Sequence, residues 1–155
     1  MPDGDLVARI ERLETERELA RLVSNYCHGI DRRDIDLFLS IWSEDAVYQT
    51  NTPFGDYTGK TAIERGVRET MWKAFSATHH WTVNLVTQID GDTATGLSNL
   101  TQQGVLADGN ALICASTYHD TFGRVDGTWL IIKRVIETHH FAPLPGVDWS
   151  PPSWA

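Results

Sequence analysis

The hydrophobic pattern of this chain changes period near residue 77. Before it, apolar residues recur every three or four positions; after it, they alternate. Leu19, Leu22, Val23, Tyr26 and Ile30 form a stripe one helix face wide, which predicts a helix over residues 5–31. Thr15 followed by Glu18 fits a capping box, so a break near Thr15 is expected. Asp34 can cap a short helix over 35–42, whose Leu37, Phe38, Ile41 and Trp42 share one side. AVYQT (46–50) reads as a short strand and NTPFGDYTG as a turn-rich loop. Thr61 and Glu64 offer a second capping box. It would open a helix over about 62–75 that buries Ile63, Val67, Thr70, Met71 and Ala74.

Four long segments follow: ATHHWTVNLVTQID, TATGLSNLTQQGVLAD, NALICASTYHDTFGRVDG and TWLIIKRVIETHHF. DGD, ADGN and VDG separate them as hairpin turns. Helices first and an antiparallel meander after them predict a single α+β domain spanning 1–155. A long curved sheet wrapped around helices stays open at one end. That mouth is the expected pocket, lined by alternate strand residues and the end of the first helix. The tail, residues 141–155, is rich in proline and tryptophan. It is expected to lie extended on its own chain or on a neighbour.

A length of 155 residues suits one domain with a real core, and 41% hydrophobic with 22% charged residues is the balance of a globular chain. The net charge of −8, with no more than two basic residues in a row, argues against nucleic acid or an anionic membrane as partner. No apolar run is long enough to span a bilayer, and the charged N-terminus is unlike a signal peptide. Cys27 and Cys114 have no motif spacing and read as reduced, buried thiols of a cytoplasmic protein. The histidines show neither H-x-H nor H-x-x-x-H spacing, so no metal site is expected. The absence of G-x-G-x-x-G, P-loop and G-x-S-x-G motifs leaves nucleotide cofactors and serine hydrolysis without support.

One residue breaks the pattern. Leu19, Val23, Cys27 and Asp31 form an i, i+4 row that ends in a carboxylate. Such a carboxylate is either solvated beside Arg32 and Arg33 or buried with a partner. His80 is the natural partner. On a strand, Thr78, His80, Thr82 and Asn84 share a polar face, while His79, Trp81, Val83 and Leu85 share an apolar one. The polar face either meets solvent or lines a wet cavity. A carboxylate on one imidazole nitrogen fixes the tautomer and raises the basicity of the other, which suits removal of a proton from carbon. Tyr26, Tyr48 and Tyr118 either fill core or polarise a carbonyl. Trp42 serves core or substrate platform, Asn84 orients substrate or faces water, and Arg124 in GRVDG is most simply a solvated hairpin residue. Whether His139 or His140 reaches the pocket stays open.

LVSNYCHGIDRRDIDLFLSIWSEDAVY, FGDYTGKTAI, HHWTVNL and DGTWLIIKR resemble the SnoaL-like branch of the nuclear transport factor 2-like superfamily over nearly the whole chain. Within it the likeness is to the hexachlorocyclohexane dehydrochlorinases and, more distantly, the scytalone dehydratases; FAPLPGVDWSPPSWA is similar to the dehydrochlorinase tail. The resemblance implies a conical α+β barrel with the active site inside the cone, no cofactor, and a dimer or trimer. It places a His–Asp dyad on Asp31 and His80, and an active-site arginine near Arg124. The dehydrochlorinase lysine falls at Tyr26, a departure that looks more like the dehydratase tyrosines. The expectation is therefore a cofactor-free lyase of the dehydratase type acting on a small, largely apolar ring compound. His80 would be the base and Asp31 its orienter. Tyr26 and Tyr48 would hold oxygen, with Trp42, Asn84, Tyr118 and Arg124 around the substrate. An isomerase or polyketide cyclase, a ligand-binding module and the small subunit of a ring-hydroxylating dioxygenase are the competing readings. The apolar strand face at Trp81, Val83 and Leu85 suggests a homo-oligomer.

Overall fold

The computed structural model describes residues 3–51 and 54–147. Helix α1 runs from Asp3 to Arg32 without a break. The Glu, Arg and Leu residues around Thr15 are strong helix formers and outweigh one capping signal, and Thr15 is buried within the helix. From Leu19 onward the stripe of Leu19, Val23, Tyr26, Cys27 and Ile30 is buried. α1 ends at Arg33, which adopts a left-handed conformation (φ 55°). The Arg33 guanidinium donates to the carbonyls of Trp72 (3.1 Å) and Phe75 (2.7 Å), which fixes that turn.

Helix α2 (Ile35–Leu39) opens on the expected cap: the Leu37 N–H donates to the Asp34 carboxylate at 3.0 Å. It stops short of residue 42 because Trp42 already pairs with the sheet. Gly29 lets α2 cross close to α1; a Cβ there would sit 2.8 Å from the backbone of Phe38. Strands β1 (Trp42–Gln49) and β2 (Asp56–Thr58) form a hairpin. Helix α3 (Lys60–Gly66) passes through a π-helical turn at Val67–Met71 into α4 (Trp72–Ala74). The capping box expected at Thr61 does not form. The helix starts earlier, at Gly59 with φ 86°, and Glu64 instead accepts from Arg68 at 2.8 Å.

The long strands are β3 (Phe75–Asp90), β4 (Thr93–Leu106), β5 (Ala111–Val125) and β6 (Thr128–Pro143). They form the expected meander, and the sheet order is β2-β1-β6-β5-β4-β3 with β1 parallel to β6. Asp126 and Gly127 both take positive φ, as a two-residue turn between strands with right-handed twist requires. The α+β class holds, but the sheet is not closed into a barrel: β2 and β3 are its free edges. α1 packs against both β3 and β6, so the sheet curls around the helix. Of the proline- and tryptophan-rich tail, Phe141–Pro143 completes β6 and residues 148–155 lie outside the described residues. No helix among the described residues is long and apolar enough to cross a membrane.

The core is aromatic, with Tyr26, Phe38, Trp42, Tyr48, Tyr118, Phe122 and Trp129 packed together. Inside it sits an ion pair. Arg134 Nε and Nη2 donate to the two carboxylate oxygens of Asp120, each at 2.7 Å, and both side chains are fully buried. The guanidinium carbon lies 4.3 Å from the ring centre of Tyr26 and 4.2 Å from that of Tyr118. Two ring faces thus replace part of the lost hydration. Removing only the anion should strand a buried cation. Asp120→Ala is expected to lower unfolding free energy in urea by about 3–5 kcal/mol, and Asp120→Leu/Arg134→Met to recover most of the loss.

Candidate active site

Asp31 lies in the last turn of α1 and faces β3. Its Oδ1 accepts from the Thr78 hydroxyl at 2.8 Å and its Oδ2 from the His80 backbone N–H at 2.8 Å. The His80 ring approaches through Nδ1, 2.5 Å from Oδ1. An ionised carboxylate only accepts, so Nδ1 carries the proton and Nε2 holds the lone pair. The His80 side chain is 6% exposed and that of Asp31 16%. Burial opposes charge on Asp31, but the hydrogen bonds and charge of His80, with the Thr78 hydroxyl, outweigh it and hold the carboxyl below its ordinary range. Neither Arg32 nor Arg33 pairs with Asp31.

The faces of β3 are inverted relative to ordinary burial. Thr78, His80 and Thr82 turn toward the helix, while Trp81 (50% exposed) and Val83 (53%) face outward. A bulge between Val83 and Val86 then shifts the parity. Asn84 sits in it with φ 58° and is exposed, and Leu85 returns to the core side.

The resulting pocket is open at its mouth and has a cavity volume of about 70 Å³. Ile30, Phe54, Met71, Trp72, Phe75, Leu100 and Ile136 give it apolar walls. His80, Tyr26, Tyr48 and Tyr118 line one polar region. The Tyr26 and Tyr48 hydroxyls lie 2.6 Å apart, so one donates to the other and the second proton remains free for a ligand. The Tyr118 hydroxyl is buried with no partner in hydrogen-bonding geometry among the described residues. Burial pushes all three phenols well above their ordinary range, against the pull of Arg134 behind the rings, so they are neutral donors.

Five of the expected residues therefore converge: Asp31, His80, Tyr26, Tyr48 and Tyr118. Three do not line this pocket. Trp42 is fully buried behind the tyrosines, 5.2 Å from the Tyr48 ring centre. Asn84 is exposed at the bulge. Arg124 lies over Trp129 at 5.0 Å and pairs with Asp92 at 3.4 Å near the β5–β6 turn. His139 and His140 both face outward, and His139 meets the Thr117 hydroxyl at 2.8 Å. Sequence reasoning missed Arg134, the cation that backs the tyrosines, and the pocket residues Gln102, Cys114, Ser116 and Thr138. No motif marks them. Among the described residues no three His, Cys, Asp or Glu side chains converge in a way that could hold a metal ion.

This geometry can be set beside known proteins. The chain is 28% identical over 145 residues to gamma-hexachlorocyclohexane dehydrochlorinase of Sphingobium indicum, with 92% of each chain covered. The crystal structure of a type 2 hexachlorocyclohexane dehydrochlorinase superposes with a TM-score of 0.90 at 25% identity, covering 94% of this chain and 99% of that one. A solved structure named as a scytalone dehydratase, from Novosphingobium aromaticivorans, gives 0.76 at 21% identity over 93% of this chain and 92% of its own. At that identity the likeness speaks for the fold alone. The SnoaL-like domain model matches residues 11–135. The chain belongs to the SnoaL-like domain family, within the nuclear transport factor 2-like fold.

Proposed function

We propose that this protein is a cofactor-free lyase that removes a proton from a small cyclic, largely apolar substrate and expels a leaving group from the neighbouring carbon. The observation that carries the reading is His80. Its Nδ1 is fixed on Asp31, and its ring lines an otherwise largely apolar pocket. The similarity to dehydrochlorinases supports an elimination. The phenols of Tyr26, Tyr48 and Tyr118 favour oxygen over halogen, which makes dehydration the preferred class.

In this reading His80 Nε2 takes the proton next to a carbonyl. The C–H electron pair moves into an enolate, whose oxygen accepts from the free hydroxyl of the Tyr26–Tyr48 pair or from Tyr118. The enolate collapses, the β-hydroxyl leaves, and the proton on His80 Nε2 is returned to it as water. Asp31 stabilises the imidazolium in between. The elimination is redox-neutral and calls on no cofactor. Exposed Trp81, Val83, Val86 and Leu97 support self-association as a dimer or trimer through the outer face of β3 and β4. The two free, buried thiols suit a reducing compartment such as the cytoplasm.

The test is turnover of β-hydroxy cyclic ketones with analysis of products. Loss of water to an enone is expected. An isomer of unchanged mass would move the protein to the isomerases, and no turnover of any such ketone would remove the dehydratase reading. His80→Ala and Asp31→Asn should each lower kcat by at least about 100-fold while far-UV circular dichroism stays unchanged.

Acid stability provides a second check. The folded-state pKa of Asp31 lies below its ordinary value of 3.8. Its contribution is therefore complete above about pH 4, where the unfolded chain is already ionised. It is lost as pH falls through the lower folded-state value. Stability of the wild type should fall across that window, and Asp31→Asn should flatten the fall.

A further inference from the structure

We infer that Gln102 is a second polar anchor of the pocket. It reads an oxygen substituent elsewhere on the ring, so that the preferred substrate carries two oxygen functions. Gln102 stands directly opposite His80 in the β3–β4 ladder, and it lines the same pocket. Opposed residues place their Cβ atoms about 5 Å apart, so the two side chains leave the sheet next to each other on the pocket face. It is only partly exposed, and its side chain has no hydrogen-bond partner among the described residues.

Its neighbours are already occupied. Cys114, opposite Gln102 on β5, has its sulfur 3.3 Å from the Ser116 hydroxyl, and Ser116 donates to Thr138 at 3.5 Å. A carboxamide offers two donors and an acceptor without charge, which suits a neutral hydroxyl or carbonyl. The spacing also fits. Ser98 pairs with Tyr118 and Gln102 with Cys114, so the tyrosine rung and the glutamine rung are four residues apart, about 13 Å of strand. The long side chains close part of that gap, and Leu100 provides an apolar strip between them. A single ring with an oxygen at each end spans such a site. A hydrocarbon or a mono-oxygenated ring would leave the amide unpaired, and a site built to bond an oxygen discriminates against the analogue lacking it.

The assignment of which end reacts rests on the lyase reading, whereas the contact itself is tested by binding alone. Dissociation constants of phenol, catechol, resorcinol and hydroquinone would be measured by calorimetry on the wild type, Gln102→Leu and Gln102→Met. At least one diol is expected to bind the wild type about tenfold more tightly than phenol. In both variants that gain should shrink to within about twofold, with the affinity for phenol unchanged, which also shows the pocket intact. If no diol gains over phenol, if the gain survives in the variants, or if none of the four binds, the anchor is overturned. A retained diol gain in a wild type that eliminates nothing would keep the anchor and sink only the lyase.

Discussion

The arrangement of the site depends on one desolvated carboxylate. Asp31 is placed at a helix C-terminus, where the helix dipole disfavours negative charge, and it is withdrawn from most of the solvent. Every group that compensates it comes from β3: the Thr78 hydroxyl, the His80 N–H and the His80 ring. β3 is an edge strand with a ladder on one side only. The carboxylate therefore does two things at once. It docks the free edge of the sheet onto α1, and it sets the ring of His80. Two further bonds close the same corner. Arg33 holds the carbonyls of Trp72 and Phe75, and the Trp72 indole donates to the Ile30 carbonyl at 3.1 Å. The pocket wall formed by Ile30, Trp72 and Phe75 is fixed by contacts beside the Asp31–His80 pair.

Arg134 is the counterpart on the other side of the cavity. A buried guanidinium is a poor stabiliser, since well-packed apolar side chains would do as well. Here its Nη1 and the Tyr118 hydroxyl are both left without partners among the described residues. The Trp42 and Trp129 indole N–H groups and the Ser98 hydroxyl are likewise without partners among the described residues, so missing bonds do not by themselves single out the site. With Arg134 behind the rings of Tyr26 and Tyr118, the positive field favours any proton that these phenols release partway to a ligand. The same arrangement explains why the phenols remain neutral at rest: burial dominates until a developing oxyanion appears.

The periods of the sequence made the helices and the four long strands legible; they left Asp31 and His80 open between solvent and pocket, and the resemblance to SnoaL-like lyases is what joined the two. The periods hid what depends on bulges. A period of two carries side chains predictably only while the ladder is regular. In β3 the irregularity after Val83 turns Asn84 out and Leu85 in. In β6 an extra residue, Ile132, separates the partners of Thr121 and Phe122, so Arg134 rather than Lys133 enters the core. A second extra residue, His139, separates the partners of Ala115 and Ser116. Thr138 and Phe141 then face the pocket while both histidines turn outward. Strict alternation from Trp129 would have turned Arg134 and Thr138 outward and His139 inward; the second extra residue restores the original parity, so His140 and Phe141 lie where alternation puts them. Closure of the barrel was likewise beyond the pattern, since it depends on whether the two edge strands meet.

The choice between a catalytic and a structural dyad rests on the unused nitrogen. A histidine retained for stability satisfies both ring nitrogens, because a buried acceptor without a donor costs free energy. His80 uses Nδ1 on Asp31, and Nε2 has no protein partner among the described residues although the side chain is nearly buried. A ligand-binding module would gain as much from an asparagine or serine at this position, without the desolvated carboxylate behind it. The arrangement is useful where the ring must alternate between neutral and protonated forms. Asp31 lowers the cost of the protonated form, and the walls beside the ring are apolar, with Ile30, Met71 and Phe75 among them. On the proposed function, apolar walls around His80 and neutral phenols across the pocket are the two features that a proton transfer from carbon with charge held on oxygen calls for.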